Sequence, residues 1–266
     1  LFLRGDQIFD DDDGFAMAQP GQLFVSNAGQ NSLSVVNMGG TGSLGAASNY
    51  NLAPVGTQAA NPYVMALGDL DGDGLADLVV VNAGTNQALI FRGRPTAEGG
   101  GFNLAPNLIL DLPAGTAGQP KSIVIADFTN DGRRDIAIAN SNSNEVSVFL
   151  NTSTSVGTLA FAPPIGLQTS GPPTGIVAAD FDGDGNVDLA VAIASAPSDI
   201  DTPADSVNDF RVEIHPGNGT GGFSAAVLIK VGDTNGNGVN NPTSLAVADL
   251  NGNGRPDLVV GGQNGI

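Results

Sequence analysis

Four times in this chain, oxygen-bearing side chains alternate with other residues over nine positions, and an apolar run follows at once. The copies read GDLDGDGLAD at 68–77, ADFTNDGRRD at 126–135, ADFDGDGNVD at 179–188 and ADLNGNGRPD at 248–257. Counted from the first aspartate of each, side-chain oxygens fall at positions 1, 3, 5 and 9, and a backbone carbonyl is available at position 7. Hard oxygen donors at alternate positions suit Ca2+, which takes about six to eight oxygens at ~2.3–2.6 Å. Glycines at positions 4 and 6 of the first, third and fourth copies allow the backbone to curl around an ion. Without a cation, carboxylates this close repel one another and some must take up protons. An EF-hand is rejected, because its loop needs a glutamate at position 12 and a helix on either side. Position 12 here is Val80, Ile138, Val191 and Val260.

The elements that must hold these loops also repeat. A Pro and a short apolar segment precede each copy (NPYVMAL, QPKSIVIA, PPTGIVAA, NPTSLAVA), and a β-branched run follows (LVVVN, IAIAN, LAVAI, LVVGG). A second short strand comes next in the first three copies (QALIFRG, EVSVFLN, RVEIHPG), and extended segments such as FNLAPNLIL and LAFAPPIGL close the unit. Short Val- and Ile-rich runs punctuated by Gly, Pro and Asn predict strands and turns. No window carries a 3.6-residue apolar period, so almost no helix is expected. The first aspartates of the loops are Asp69, Asp127, Asp180 and Asp249, a spacing that predicts one supersecondary unit per repeat. A fifth, degenerate copy lies upstream, where QLFVSNAGQNSLSVVNMG at 22–39 aligns with DLVVVNAGTNQALIFRG at 77–93. Gly14, Ala16 and Ala18 there stand at acid positions. The expected fold is an all-β β-propeller of four-stranded blades, one domain over 1–266. Its repeats fall at about 1–60 (degenerate), 61–118, 119–171, 172–240 and 241–266 (partial).

Four in-register loops with matching strands make the chain resemble the FG-GAP/VCBS repeat family, the calcium-loop repeats of integrin α-subunit propellers and of many secreted bacterial proteins. The resemblance covers nearly the whole chain and implies one blade per repeat, with the calcium loop between its first two strands. It implies four structural Ca2+ sites. Loop one would use Asp69, Asp71, Asp73, the Leu75 carbonyl and Asp77, and loop two Asp127, Thr129, Asp131, the Arg133 carbonyl and Asp135. Loop three would use Asp180, Asp182, Asp184, the Asn186 carbonyl and Asp188, and loop four Asp249, Asn251, Asn253, the Arg255 carbonyl and Asp257. With 4, 3, 4 and 2 carboxylates, loops one and three should bind tightest and loop four weakest.

Composition narrows the function classes. The chain carries 27 acidic against 9 basic residues, a net charge of −18, so nucleic acid and anionic lipid are poor partners. Absence of cysteine excludes disulfides and thiolate metal sites. No apolar run approaches the ~18 residues of a membrane-spanning helix, so no membrane insertion is expected. No G-x-S-x-G, H-E-x-x-H or P-loop is present. His215, the single histidine, follows RVEI and reads as a surface residue on a hairpin turn. Arg4-Gly5-Asp6 reads as a strand-turn junction, the 198–209 stretch as a solvated acidic loop, and GDTNGNGVNNP at 232–242 as a polar turn. The sequons at Asn151 and Asn218 are expected on exposed turns.

No catalysis is therefore expected. The leading expectation is an extracellular or cell-surface scaffold for adhesion or interaction, whose partner is a protein or glycan or a copy of itself. Millimolar external calcium would fill loops of modest affinity there. The alternative is a self-assembling filament or sheath subunit. The last repeat ends after its second strand, and LFLRGD at the start is similar to LIFRGR at 89–94. The two ends could complete one blade within a chain or between chains, or the chain could be a piece of a longer propeller. A carbohydrate-binding or carbohydrate-active protein ranks last, because a chain without Trp offers few stacking faces for a sugar.

Overall fold

The computed structural model describes residues 15–16, 22–27, 31–38, 44–51, 62–95, 101–103, 105–113, 119–194, 209–233 and 240–263. The expectations for Arg4–Asp6, for 198–208 and for most of 232–242 lie outside these residues. So does the expected strand at the start of the chain. The described residues divide into two compact units, one within 1–120 and 152–161 and the other within 121–151 and 162–266.

The first unit holds two four-stranded antiparallel sheets. One runs in the order β1 (Phe15–Ala16), β2 (Gln22–Asn27), β3 (Ser32–Met38) and β4 (Leu44–Asn51). The other runs β5 (Pro62–Gly68), β6 (Asp77–Asn82), β7 (Gln87–Phe91) and β8 (Leu108–Asp111). In the second unit, a third sheet holds β9 (Pro120–Ala126), β10 (Asp135–Asn140), β11 (Glu145–Phe149) and β12 (Ile165–Gln168). A fourth holds β13 (Pro173–Ala179), β14 (Asp188–Ile193), β15 (Asp209–His215) and β16 (Val227–Asp233). A fifth pairs β17 (Asn240–Ala248) with β18 (Asp257–Gln263). Each sheet is a simple up-and-down meander, as the repeat predicts. The described residues contain no α-helix, only a single 3-10 turn at Ser141–Ser143.

Burial falls from the second strand outward. Every residue of β6, β10 and β14 is buried, whereas β8 and β12 are only partly covered. This is why the second-strand sequences are continuous apolar runs and the fourth-strand sequences are not. Leu33, Val35, Met65, Leu78, Val80, Leu89, Phe91 and Phe102 form a core in the first unit. Phe128, Ala137, Ala139, Val146, Val148, Ile176, Leu189, Val191 and Ile193 form one in the second. The prolines that open the repeats sit at the edges of their ladders. Pairing slips between Pro62 and Val64, between Pro173 and Gly175, and between Pro242 and Ser244. Lacking an N–H to donate, proline fits the start of a strand or a bulge and not its middle.

One alignment is corrected. Ala16, assigned to an acid position of the degenerate copy, lies within strand β1 opposite Phe24. Ala66 holds the corresponding place in the second sheet, opposite Val79. The expected acid position at Ala16 is therefore part of a strand, and residues 17–21 lie outside the described residues.

Candidate metal centres

Each acid loop connects the first strand of a sheet to its second. Residues 69–76 link β5 to β6, 127–134 link β9 to β10, 180–187 link β13 to β14, and 249–256 link β17 to β18. The position expected from the resemblance is the position observed.

Within each loop the aspartate at position 1 organises the turn. Asp69 accepts hydrogen bonds from the Gly72 and Gly74 amides at 2.7 and 2.9 Å, and Asp180 from Gly183 and Gly185 at 2.7 and 3.0 Å. Asp249 holds Gly252 and Gly254 in the same way, and Asp127 holds Gly132. Gly74 and Gly185 sit at φ +84 and +88, which an L side chain rarely adopts. In loop two, Asn130 takes the left-handed place at position 4 with φ 55. Position 5 then fixes position 7. Leu75, Arg133, Asn186 and Arg255 each donate their amide to the side-chain oxygen two residues before, at Asp73, Asp131, Asp184 and Asn253.

The aspartate at position 9 has a role that spacing alone does not reveal. Asp77 accepts the Leu70 amide on one oxygen and the Gly93 amide on the other, both at 2.9 Å. Asp135 does the same with Phe128 and Asn151, and Asp188 with Phe181 and Gly217. This carboxylate ties its loop to the turn that follows the third strand. The residue at position 2 is anchored alongside, with Leu70 and Phe128 buried. In loop four no third strand is described, and Asp257 instead accepts from Leu250 and from the Asn251 amide group. Leu250 is 68% exposed.

Protonation follows from this burial. Burial pushes Asp77 and Asp135 up to about 6, against the backbone hydrogen bonds that favour their charged forms, and neighbouring carboxylates add to the rise. Burial also raises Asp188. The backbone amides received by Asp184 and Asp249 hold these exposed carboxyls below the usual range. Asp127 is likewise lowered, its three amide bonds outweighing partial burial.

Two of the four expected sites gather into compact carboxylate clusters. Asp69, Asp71 and Asp77 bring ligand oxygens within 4.8 Å of one another, and so do Asp180, Asp182 and Asp188. These are loops one and three, the two with four carboxylates each. In loop two, the Thr129 hydroxyl donates to Asp127 at 3.2 Å, and the Arg133 guanidinium pairs with Asp131 while bonding the Asn151 carbonyl. In loop one, Arg92 reaches in from the end of β7. Its Nε pairs with Asp71 and its Nη2 lies 3.3 Å from Asp73. Nothing in the loop spacing predicts this arginine, because it arrives from the following hairpin. Loop three receives no arginine among the described residues. All-oxygen donor sets and a tightly curled, glycine-bearing backbone fit a hard divalent cation.

Two further expectations are corrected. His215 is buried, at 3% exposure, and its Nε2 lies 3.2 Å from Glu213, itself 1% exposed. Burial alone would raise Glu213, but hydrogen bonds from His215 and Ser170 outweigh it and hold the carboxyl below its ordinary range. Asn151 is also buried, and its amide group donates to the Arg134 carbonyl, so it is not an exposed glycosylation acceptor. Asn218 is exposed as expected.

A family model described as FG-GAP-like repeat matches residues 69–138, 127–191 and 204–260. No curated protein matches the chain by sequence. Among solved structures, a protein from Lactobacillus plantarum is 14% identical with a TM-score of 0.59, over 96% of this chain and 73% of that one. A Bacteroides fragilis protein named provisionally as a 6-phosphogluconolactonase is 17% identical with a TM-score of 0.51, over 89% of this chain and 67% of that one. At these identities the likeness is one of fold: an all-β chain of propeller type.

Proposed function

Because the chain belongs to the FG-GAP-like repeat family, we propose that it is a calcium-stabilised, non-enzymatic scaffold. It works outside the cytoplasm and presents a rigid surface to a protein or glycan partner. The observation that carries this reading is the preformed carboxylate cluster of loops one and three, whose oxygens already lie within 4.8 Å of one another. Bound Ca2+ would supply charge neutralisation and a cross-link between loop positions, with no part in bond-making. The holding groups would be those at positions 1, 3, 5, 7 and 9. Position 9 would serve twice, since a carboxylate oxygen that accepts one amide retains a lone pair for a metal. Calorimetric titration of the metal-free chain tests the reading. Saturable calcium binding with a rise in unfolding temperature is expected; no binding at millimolar calcium would sink it.

Self-assembly is the second reading, and one observation favours it. Among the described residues, strand β18 pairs only with β17, and its Val259 is 39% exposed, whereas Val79, Ala137 and Ala190 at the same place in β6, β10 and β14 are fully buried. A strand from a second copy would cover that edge.

A further inference from the structure

Loop one differs from loop three in one respect that the carboxylate count does not register. Arg92 follows Phe91, which pairs with Leu78 at the start of the second strand. The equivalent residues after Phe149 and His215, which pair with Ile136 and Leu189, are Leu150 and Pro216. Of these three sheets, only the β5–β8 sheet carries a cation at this position. Its guanidinium engages two of the four loop carboxylates, and the Asp71 side chain is wholly buried beneath it. The Ser155–Thr158 turn closes over the same place. The Gly157 amide donates to the Asp71 carbonyl at 2.8 Å, and a side chain at Gly157 would meet the Arg92 Nη2 at 3.3 Å.

We propose that Arg92 is a built-in counter-cation of loop one, which must withdraw before a divalent cation can bind there. Loop one then fills after loop three, although the two have equal numbers of carboxylates. The proposal rests on the calcium reading above and refines it. A guanidinium satisfies Asp71 and Asp73 through charge-assisted hydrogen bonds, and it brings to the site a positive charge that repels a second one. A metal at loop one must therefore displace an existing ion pair; at loop three it meets only carboxylates held by amide donors. Loop two stands between them, since its Arg133 pairs with one loop carboxylate, that of Asp131, and spends its Nε on the Asn151 carbonyl.

Nitrogen–proton correlation spectra of the whole chain during a calcium titration test this site by site. The Gly74 and Gly185 amides sit at position 6 of the two loops, each bonded to its position-1 aspartate. Gly185 is expected to shift at lower calcium than Gly74. In Arg92→Gln the Gly74 midpoint should move to lower calcium, by roughly tenfold for loss of a partly buried charge-assisted pair, while Gly185 stays in place. The wild type supplies a second readout that needs no variant: the Arg92 Nε–H signal should shift in step with Gly74. The proposal is overturned if Gly74 moves before or together with Gly185, or if Arg92→Gln leaves both midpoints unchanged. If neither glycine responds to calcium, the calcium reading itself fails.

Discussion

At the scale of residues, aspartates that look interchangeable in a repeat divide into two kinds. Asp180 holds turn amides inside its own loop, whereas Asp188 is buried and bridges two segments through Phe181 and Gly217. Asp188→Ala would strand two backbone donors, at about 1–3 kcal/mol for each buried one. Its urea midpoint should fall even with a chelator present. Asp180→Asn keeps oxygen and shape, so its midpoint should fall mainly when calcium is present. Equal losses for both variants under chelation would contradict the division. The raised carboxyls set a pH dependence. Asp77 and Asp135 stand at about 6 against an ordinary 3.8, so between those values the folded chain binds more protons than the unfolded one. Their contribution to stability is complete below the unfolded value and disappears as pH rises through about 6. The lowered groups, Asp127, Asp184 and Asp249 from 3.8 and Glu213 from 4.5, have gained nearly all of their contribution by pH 5 and change little above it. Metal-free protein should therefore unfold at higher urea at pH 5 than at pH 7. Calcium, which competes with those protons, should reverse the order. A flat profile in chelator would show that these carboxyls are not protonated in the fold. Oxygen spacing made the candidate ligands legible in the sequence. The tie made by position 9 was not, because its partner lies beyond the next strand.

At the scale of elements, the turn after the third strand is fitted to the acid loop by close approach. A Cβ on Gly217 would lie 2.2 Å from the Val187 carbonyl oxygen, inside any tolerable contact. Gly217→Ala must push the turn away and break the amide bond to Asp188, costing about 1–3 kcal/mol. Thermal unfolding in calcium checks this, and an unchanged transition would mean the turn is free to move. Strand order and blade composition were readable because apolar runs, prolines and glycines recur in register. The burial of β15 was not. Arg211, Glu213 and His215 alternate along it and read as a solvent face, yet all three are buried. Part of the reason is local: the segment after β12 brings the Ser170 amide onto Glu213. A polar stripe announces solvent only where no neighbouring segment covers it.

At the scale of the whole molecule, charge and edges dominate. A net charge of −18 opposes compaction, and two Ca2+ ions in loops one and three would bring it to −14 (−18 plus two charges of +2). Light scattering in millimolar calcium and in chelator then separates the two readings of function. A single-chain mass in calcium supports a scaffold that binds others; large species that dissolve on chelation support pairing through the β18 edge. The acid loops carry one more consequence. Their amides are already gathered by position 1, and three of them are already fastened by position 9 to the turn beyond, with no ion required. Calcium arriving at loop three would therefore find its seat made and change almost nothing that a partner could feel. There the ion would be a rivet and carry no message. If any loop reports the calcium level to the outside, it is the one where an arginine has to move.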